Sequence, residues 1–198
     1  MICYNKNMNN EIEAKYIEID KDEIREKLRA AGAKQIYPER MMRRTVFYTG
    51  PHSFGRVRDE GDRVVMTYKN FEDEDSIMGV KEVNLVIDSY DDGVAFLKGC
   101  GLKEKAVQET YRELWTLTDT EITIDTWPWL PSYIEIEGHS EEAVWAAAAK
   151  LGLKKEDAVF GAVDKLYSMK YGVDMDVVNL ETPIINFEID PPEWVKNN

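Results

Sequence analysis

Glu11-Ile12-Glu13-Ala14-Lys15, near the start of the chain, alternates charged with small or apolar residues. In a β-strand, residues two apart share a face. Glu11, Glu13 and Lys15 then form one row, with Ile12, Ala14 and Tyr16 opposite. The pattern returns along the chain. Arg56 and Arg58 flank Val57, Arg63, Val65, Thr67 and Lys69 share a face, and Glu135 and Glu137 alternate with Ile134 and Ile136. Asp125 ends a further alternating segment, and Arg112 lies in the segment before it. A sheet built from such strands is apolar on one side and charged on the other. The charged side is either a solvated outer face, with cross-strand pairs worth a few tenths of a kcal/mol each, or the wall of a polar cavity. The signs segregate by strand, which favours the cavity. Hard carboxylate oxygens suit a divalent cation, and Arg and Lys groups suit phosphate. Buried like charges are tolerable when a counter-charge sits among them.

The remaining periodicities place these strands in a fold. Strands are predicted over 11–19, 41–49, 55–59, 63–69, 81–88, 107–118, 121–127 and 132–138. Residues 55–69 read as a hairpin through Glu60-Gly61-Asp62. A helix over 21–32 is capped by Asp20, carries Ile24 and Leu28 at i, i+4 spacing and stops at Gly32. Further helices are predicted over 90–101, over 140–152 with Ser140 as N-cap, and in the second half of 157–172. The expectation is an α+β protein whose antiparallel sheet is large enough to close. The body spans residues 1–172, and an extension, 173–198, packs on it as an extra strand or grips a partner.

Composition excludes several classes of function. The net charge is −13 and the pI about 4.7. Such a chain is a poor partner for duplex nucleic acid or an anionic membrane. Cys3 and Cys100 lie far apart without metal spacing, and reduced thiols suggest a cytoplasmic protein. Cys100, closing a helix before Gly101, reads as a buried thiol. The first ten residues hold no signal-peptide core, and no stretch approaches the roughly 20 apolar residues of a membrane helix. His52 and His139 sit among loop residues and make neither a zinc site nor a triad. The acidic run beginning at Phe71 reads as a solvated loop. Trp127, Trp129 and Tyr133 pack a turn against the barrel end or stack on a ligand ring.

Taken together, the charged strands resemble the CYTH superfamily, the triphosphate tunnel metalloenzymes. This family includes class IV adenylate cyclases, thiamine triphosphatases and inorganic triphosphatases. The resemblance runs over residues 9–171. It rests on Glu11-Ile12-Glu13-Ala14-Lys15 opening the domain, followed in order by Arg56-Val57-Arg58, Lys69, Glu82, Arg112 with Trp115, Asp125 and Glu135-Ile136-Glu137. It implies an eight-stranded antiparallel β-barrel, the triphosphate tunnel, with flanking helices. In such a tunnel Glu11, Glu13, Glu135 and Glu137 would hold one or two divalent metals, Mg²⁺ or Mn²⁺. Lys15, Arg56, Arg58, Lys69 and Arg112 would bind phosphate oxygens, with Lys15, Arg56 and Arg58 acting in catalysis. Glu82 and Asp125 would be further tunnel acids. The cations would be concentrated inside. Three positions depart from the usual pattern: Thr45, Val80 and Thr110 stand where an Asp, an Arg and a basic residue are common.

The reading that follows is a metal-dependent phosphohydrolase acting on a small triphosphate: tripolyphosphate, thiamine triphosphate or a nucleoside triphosphate. A cyclase making cyclic AMP and pyrophosphate from ATP would use the same inner charges but needs a specific ribose pose. The departures also motivate a binding module without turnover. No duplex nucleic acid or membrane partner is expected, and a homodimer is compatible with the chain.

Overall fold

The computed structural model describes residues 8–196; Cys3 lies outside them. The opening strand has two halves. β1 (Asn9–Glu11) pairs antiparallel with β6 (Val80–Ile87), and β2 (Glu13–Tyr16) pairs antiparallel with β9 (Tyr133–Gly138). Between the halves Ile12 accepts from the Gly138 N–H at 3.0 Å. The other strands are β3 (Lys34–Gly50), β4 (Ser53–Asp59), β5 (Val64–Phe71), β7 (Glu104–Leu117) and β8 (Thr120–Thr126). The sheet order is β1-β6-β5-β4-β3-β7-β8-β9-β2. Counting β1 and β2 as one strand, eight antiparallel strands close into a barrel through Ile12, as the sequence predicts.

The barrel is apolar outside and polar inside. Ile134 and Ile136 are fully buried on its outer face, as are Ile122 and Ile124. They pack with Ala14 and Tyr16 under α1 (Lys21–Ala30) and α3 (Glu141–Lys150), against Ile24, Leu28, Val144, Ala147 and Ala148. Each fully buried aliphatic side chain is worth roughly 1.5–3 kcal/mol, so this outer layer is the main core. The alternate residues on the same strands point into the barrel. Asp20 caps α1 by accepting from the Asp22 and Glu23 N–H groups, and Ser140 caps α3. α2 (Tyr90–Gly99) lies against β4.

Two local expectations, on β3 and on Cys100, are corrected. β3 has 17 residues and begins at Lys34, not near residue 41. Its first part pairs with β7 through register shifts, which bend it and hide its alternation. Cys100 is exposed; as the C-cap of α2 it sits where that helix leaves the sheet. The extension packs on the barrel, with α5 (Met175–Glu181), β10 (Ile184–Ile185) and α6 (Glu193–Lys196) following α4 (Val163–Tyr171). β10 pairs in parallel with Val107 and Gln108 of β7. Val178 and Ile185 are buried with Tyr167, and Trp194 meets Trp129, Tyr167 and Tyr171 edge-on at 5.6–6.4 Å. Among the described residues no helix is long and apolar enough to cross a membrane.

Candidate active site

The barrel encloses a cavity of about 590 Å³. Ten of the eleven singled-out residues line it: Glu11, Glu13, Lys15, Arg56, Arg58, Lys69, Glu82, Arg112, Glu135 and Glu137. Asp125 lies directly behind, fully buried and bonded to Arg112. These are not groups on a solvated face: Lys15 is 3% exposed, Glu11 7% and Arg56 9%.

Strand register explains the charge pattern. Glu13 stands directly opposite Glu137 across β2 and β9, and Glu121 stands opposite Glu137 across β8 and β9. Arg44 stands directly opposite Arg58 across β3 and β4. Like charges facing each other across strands are destabilising. In the strand order the β2–β9 and β3–β4 pairs are half a turn of the barrel apart. One wall therefore gathers carboxylates and the facing wall gathers guanidinium groups.

On the acidic wall two lysines hold the carboxylates apart. Lys15 bonds Glu13 and lies 3.5 Å from Glu135, and Lys69 bonds Glu11 and lies 3.4 Å from Glu82. Burial would pull both lysines down, but their carboxylate partners win and raise them above the ordinary lysine value. Among the described residues Glu137 has no such partner. Burial, with Glu11 and Glu13 nearby, raises it to about 8. Glu13 is also raised, by burial and by Glu11. Burial pushes Glu135 up, but Lys15 and Arg112 outweigh it and hold this carboxyl far below its usual value.

Arg112 donates to both oxygens of Asp125 at 2.7 and 2.9 Å and to Glu135 at 2.7 Å. Thr123 donates to Asp125 at 2.6 Å. Asp125 thus fixes the direction of a guanidinium group and offers the cavity no oxygen of its own. Arg58 is bonded to Glu60, which also accepts from Arg63 at 2.7 Å. Burial raises the Glu60 carboxyl, yet Arg58 and Arg63 bring it down to about 2. The tunnel cations lie inside the barrel, and Lys15, Arg58, Lys69 and Arg112 are each matched there by a carboxylate. Arg56 is not. Among the described residues it has no carboxylate within 4 Å, and its Nε has no hydrogen-bond partner. Burial, with Arg58 and Arg44 pressing on it, takes it well below the ordinary guanidinium value.

Glu60, Glu121 and Arg44 line the cavity but are not among the residues singled out from the sequence. Glu60 reads as a turn residue, although its side chain folds back under Arg58. Arg44 shares its strand face with Val46 and Tyr48, so charge alternation does not mark it. Trp127 and Tyr133 are buried in the core with Tyr167 and also contribute to the cavity wall. The three departures have local partners. Thr45 shares a hydrogen bond of 2.6 Å with Tyr90, Val80 is buried opposite Glu11, and Thr110 accepts from Arg44 at 2.6 Å.

A divalent cation fits the chemistry of the acidic wall. Its donors are hard carboxylate oxygens, crowded enough to raise Glu13 and Glu137. Among the described residues no three His, Cys, Asp or Glu side chains stand at metal-ligating spacing. The ammonium groups of Lys15 and Lys69 occupy the places between them, so loading such an ion requires these pairs to rearrange.

The CYTH domain profile matches residues 9–162. A search of the curated proteins finds no significant match. Several solved structures share the fold. The PH1012 protein of Pyrococcus horikoshii is 22% identical, with a TM-score of 0.66, over 75% of this chain and 93% of that one. The PH1819 protein of the same organism is 24% identical, with a TM-score of 0.61, over 81% and 99%. A candidate adenylate cyclase from Vibrio parahaemolyticus is 13% identical, with a TM-score of 0.69, over 82% and 99%. At these identities the likeness is one of fold.

Proposed function

This chain belongs to the CYTH domain family, and from that premise we propose that its tunnel is the active site of a divalent-metal-dependent triphosphatase. The observation that carries the reading is the pair of facing walls: Glu13 opposite Glu137 on one side, Arg44 opposite Arg58 on the other. Glu13 is paired with Lys15 and Arg58 with Glu60, but among the described residues Glu137 and Arg44 have no ion-pair partner, and a metal–polyphosphate complex brings the counter-charge each wall still wants.

Glu11, Glu13, Glu135 and Glu137 would hold Mg²⁺ or Mn²⁺. The bound ion supplies positive charge that polarises phosphoryl oxygens. The rest falls to the chain. Arg56 and Arg58 fork onto phosphate oxygens from the opposite wall and offset charge that builds on the leaving group. Lys15, kept charged by Glu13 and Glu135, and Lys69 add ammonium groups from the acidic wall. Arg112 is oriented by Asp125. Glu135 stays ionised and can orient a water for in-line attack on phosphorus. Positioning and electrostatics supply most of the rate in such chemistry.

A cyclase reading has one support: the Vibrio parahaemolyticus and Bacillus halodurans proteins of this fold are described as candidate adenylate cyclases. Hydrolysis is preferred because cyclisation demands a specific ribose pose and hydrolysis does not, and because Trp127 and Tyr133, expected to stack on a ligand ring or pack a turn, are buried in the core. Phosphorus NMR of the protein with tripolyphosphate, and separately with ATP, each with Mg²⁺ or Mn²⁺, tests both. Orthophosphate and pyrophosphate from tripolyphosphate, absent in Glu13→Ala, are expected. Pyrophosphate with a cyclic phosphodiester signal from ATP would replace the hydrolase by the cyclase. Intact substrates with Glu13-dependent shifts would leave a binding module.

A further inference from the structure

Arg44 occupies an unusual place. It is 4% exposed and lines the cavity beside Arg56 and Arg58. Among the described residues it has no carboxylate within 4 Å, and its Nε has no partner. Its fixed contacts are Thr110, which accepts from Nη2 at 2.6 Å, and Trp127, whose ring lies 4.7 Å beneath the guanidinium carbon. Burial, with Arg58 and Arg112 close by, pulls it down to about 9. A buried cation without a counter-ion costs the folded protein free energy, and replacing such a group by an apolar one is often neutral or stabilising. Its surroundings nonetheless hold it in place. Thr110 is fully buried and Trp127 nearly so, and both contacts favour a charged, planar group.

We propose that Arg44 is a phosphoryl-binding residue of the tunnel, brought from β3 and held toward a bound polyphosphate by Thr110 and Trp127. The proposal rests on the triphosphate reading of the cavity. β7 carries Thr110 two residues before Arg112, and Arg44 on the adjacent strand fills the space that Thr110 leaves. The charge reaches the cavity from the next strand instead of from β7. With Arg56 it makes two neighbouring guanidinium groups whose Nε atoms are unpaired, a preformed fork for phosphate oxygens. A bound phosphoryl group would relieve the repulsion among Arg44, Arg56 and Arg58.

Tripolyphosphate binding by calorimetry, in EDTA and in Mg²⁺, decides it for the native chain, Arg44→Met, Arg44→Lys, Arg58→Ala and Arg44→Met/Thr110→Lys. Arg44→Met should bind about tenfold to a hundredfold more weakly, while melting without ligand at the same or a higher temperature. A brace of structural value alone would lower that temperature and leave binding intact. Arg44→Lys should recover part of the loss, because a point charge replaces the fork. The double variant should recover part of it from β7. Native-like binding by Arg44→Met, beside loss in Arg58→Ala, overturns the proposal and leaves the triphosphate reading standing. Absence of binding by the native chain in both buffers overturns the two together. Should Arg44→Met fail to fold, native-like binding by Arg44→Lys overturns the fork.

Discussion

Two buried glutamates show how single side chains hold this protein together. Glu60 neutralises Arg58 and Arg63, and its folded value of about 2 lies below its ordinary 4.5. A depressed carboxyl contributes stability that is fully present above the unfolded value and is lost as pH falls through the folded one. The expected loss is about 3 kcal/mol between pH 4.5 and pH 2. Urea unfolding at stepped pH should show a shallower acid decline in Glu60→Gln than in the native chain. Glu113 acts outside the barrel. It accepts from Arg25 at 2.9 and 3.0 Å, Gln35 at 2.8 Å and Trp115 at 2.6 Å, tying α1 to the sheet. Glu113→Ala strands these donors, and a loss of about 3 kcal/mol is expected in urea unfolding. Residues like Glu11 and Arg56 were legible in the sequence because regular alternation marks the face they occupy. Glu60 was not, since its direction depends on how the β4–β5 turn closes.

At the scale of elements, helices with a side-chain cap and strands with strict alternation were legible, and those that depend on distant partners were not. The first residues of β3 interrupt their own period with register shifts, and only pairing to β7 makes them a strand. The extension gave conflicting signals because its prolines and apolar residues serve a strap. β10 holds one end on β7, where Pro183 accepts from the Val107 N–H at 2.9 Å, and Trp194 holds the other. Val178, Thr182 and Ile185 of this strap line the cavity. Trp194→Ala should therefore lower stability by about 2 kcal/mol and also raise the KM for tripolyphosphate, a pairing that steady-state kinetics beside urea unfolding would check. α2 is seated through Gly93, where an added Cβ would meet Ile87 at 2.4 Å and Val57 at 3.2 Å. Gly93→Ala should push the end of the Ile87 side chain aside and crowd Val57 under this helix, and show as faster hydrogen exchange over 90–99.

Across the whole molecule, the usual arrangement of a small globular fold is reversed: the apolar layer lies between the sheet and its helices, and the centre is charged. Ligand binding should accordingly stabilise the entire barrel. Tripolyphosphate with Mg²⁺ at a hundred times its dissociation constant adds about 2.7 kcal/mol, which for a chain this size is a melting shift of roughly 5–10 °C. Glu13→Ala should abolish that shift. The closure itself is made by β1 and β2, whose partners are β6 and β9. The two halves of this strand are thus zipped at different times during synthesis. β1 can zip onto β6 once synthesis has passed Ile87, but β2 must wait, unpaired, until it has passed Gly138, the end of β9. Through that interval the nascent chain carries an open sheet with two free edges, and its yield in the cell depends on what shields them.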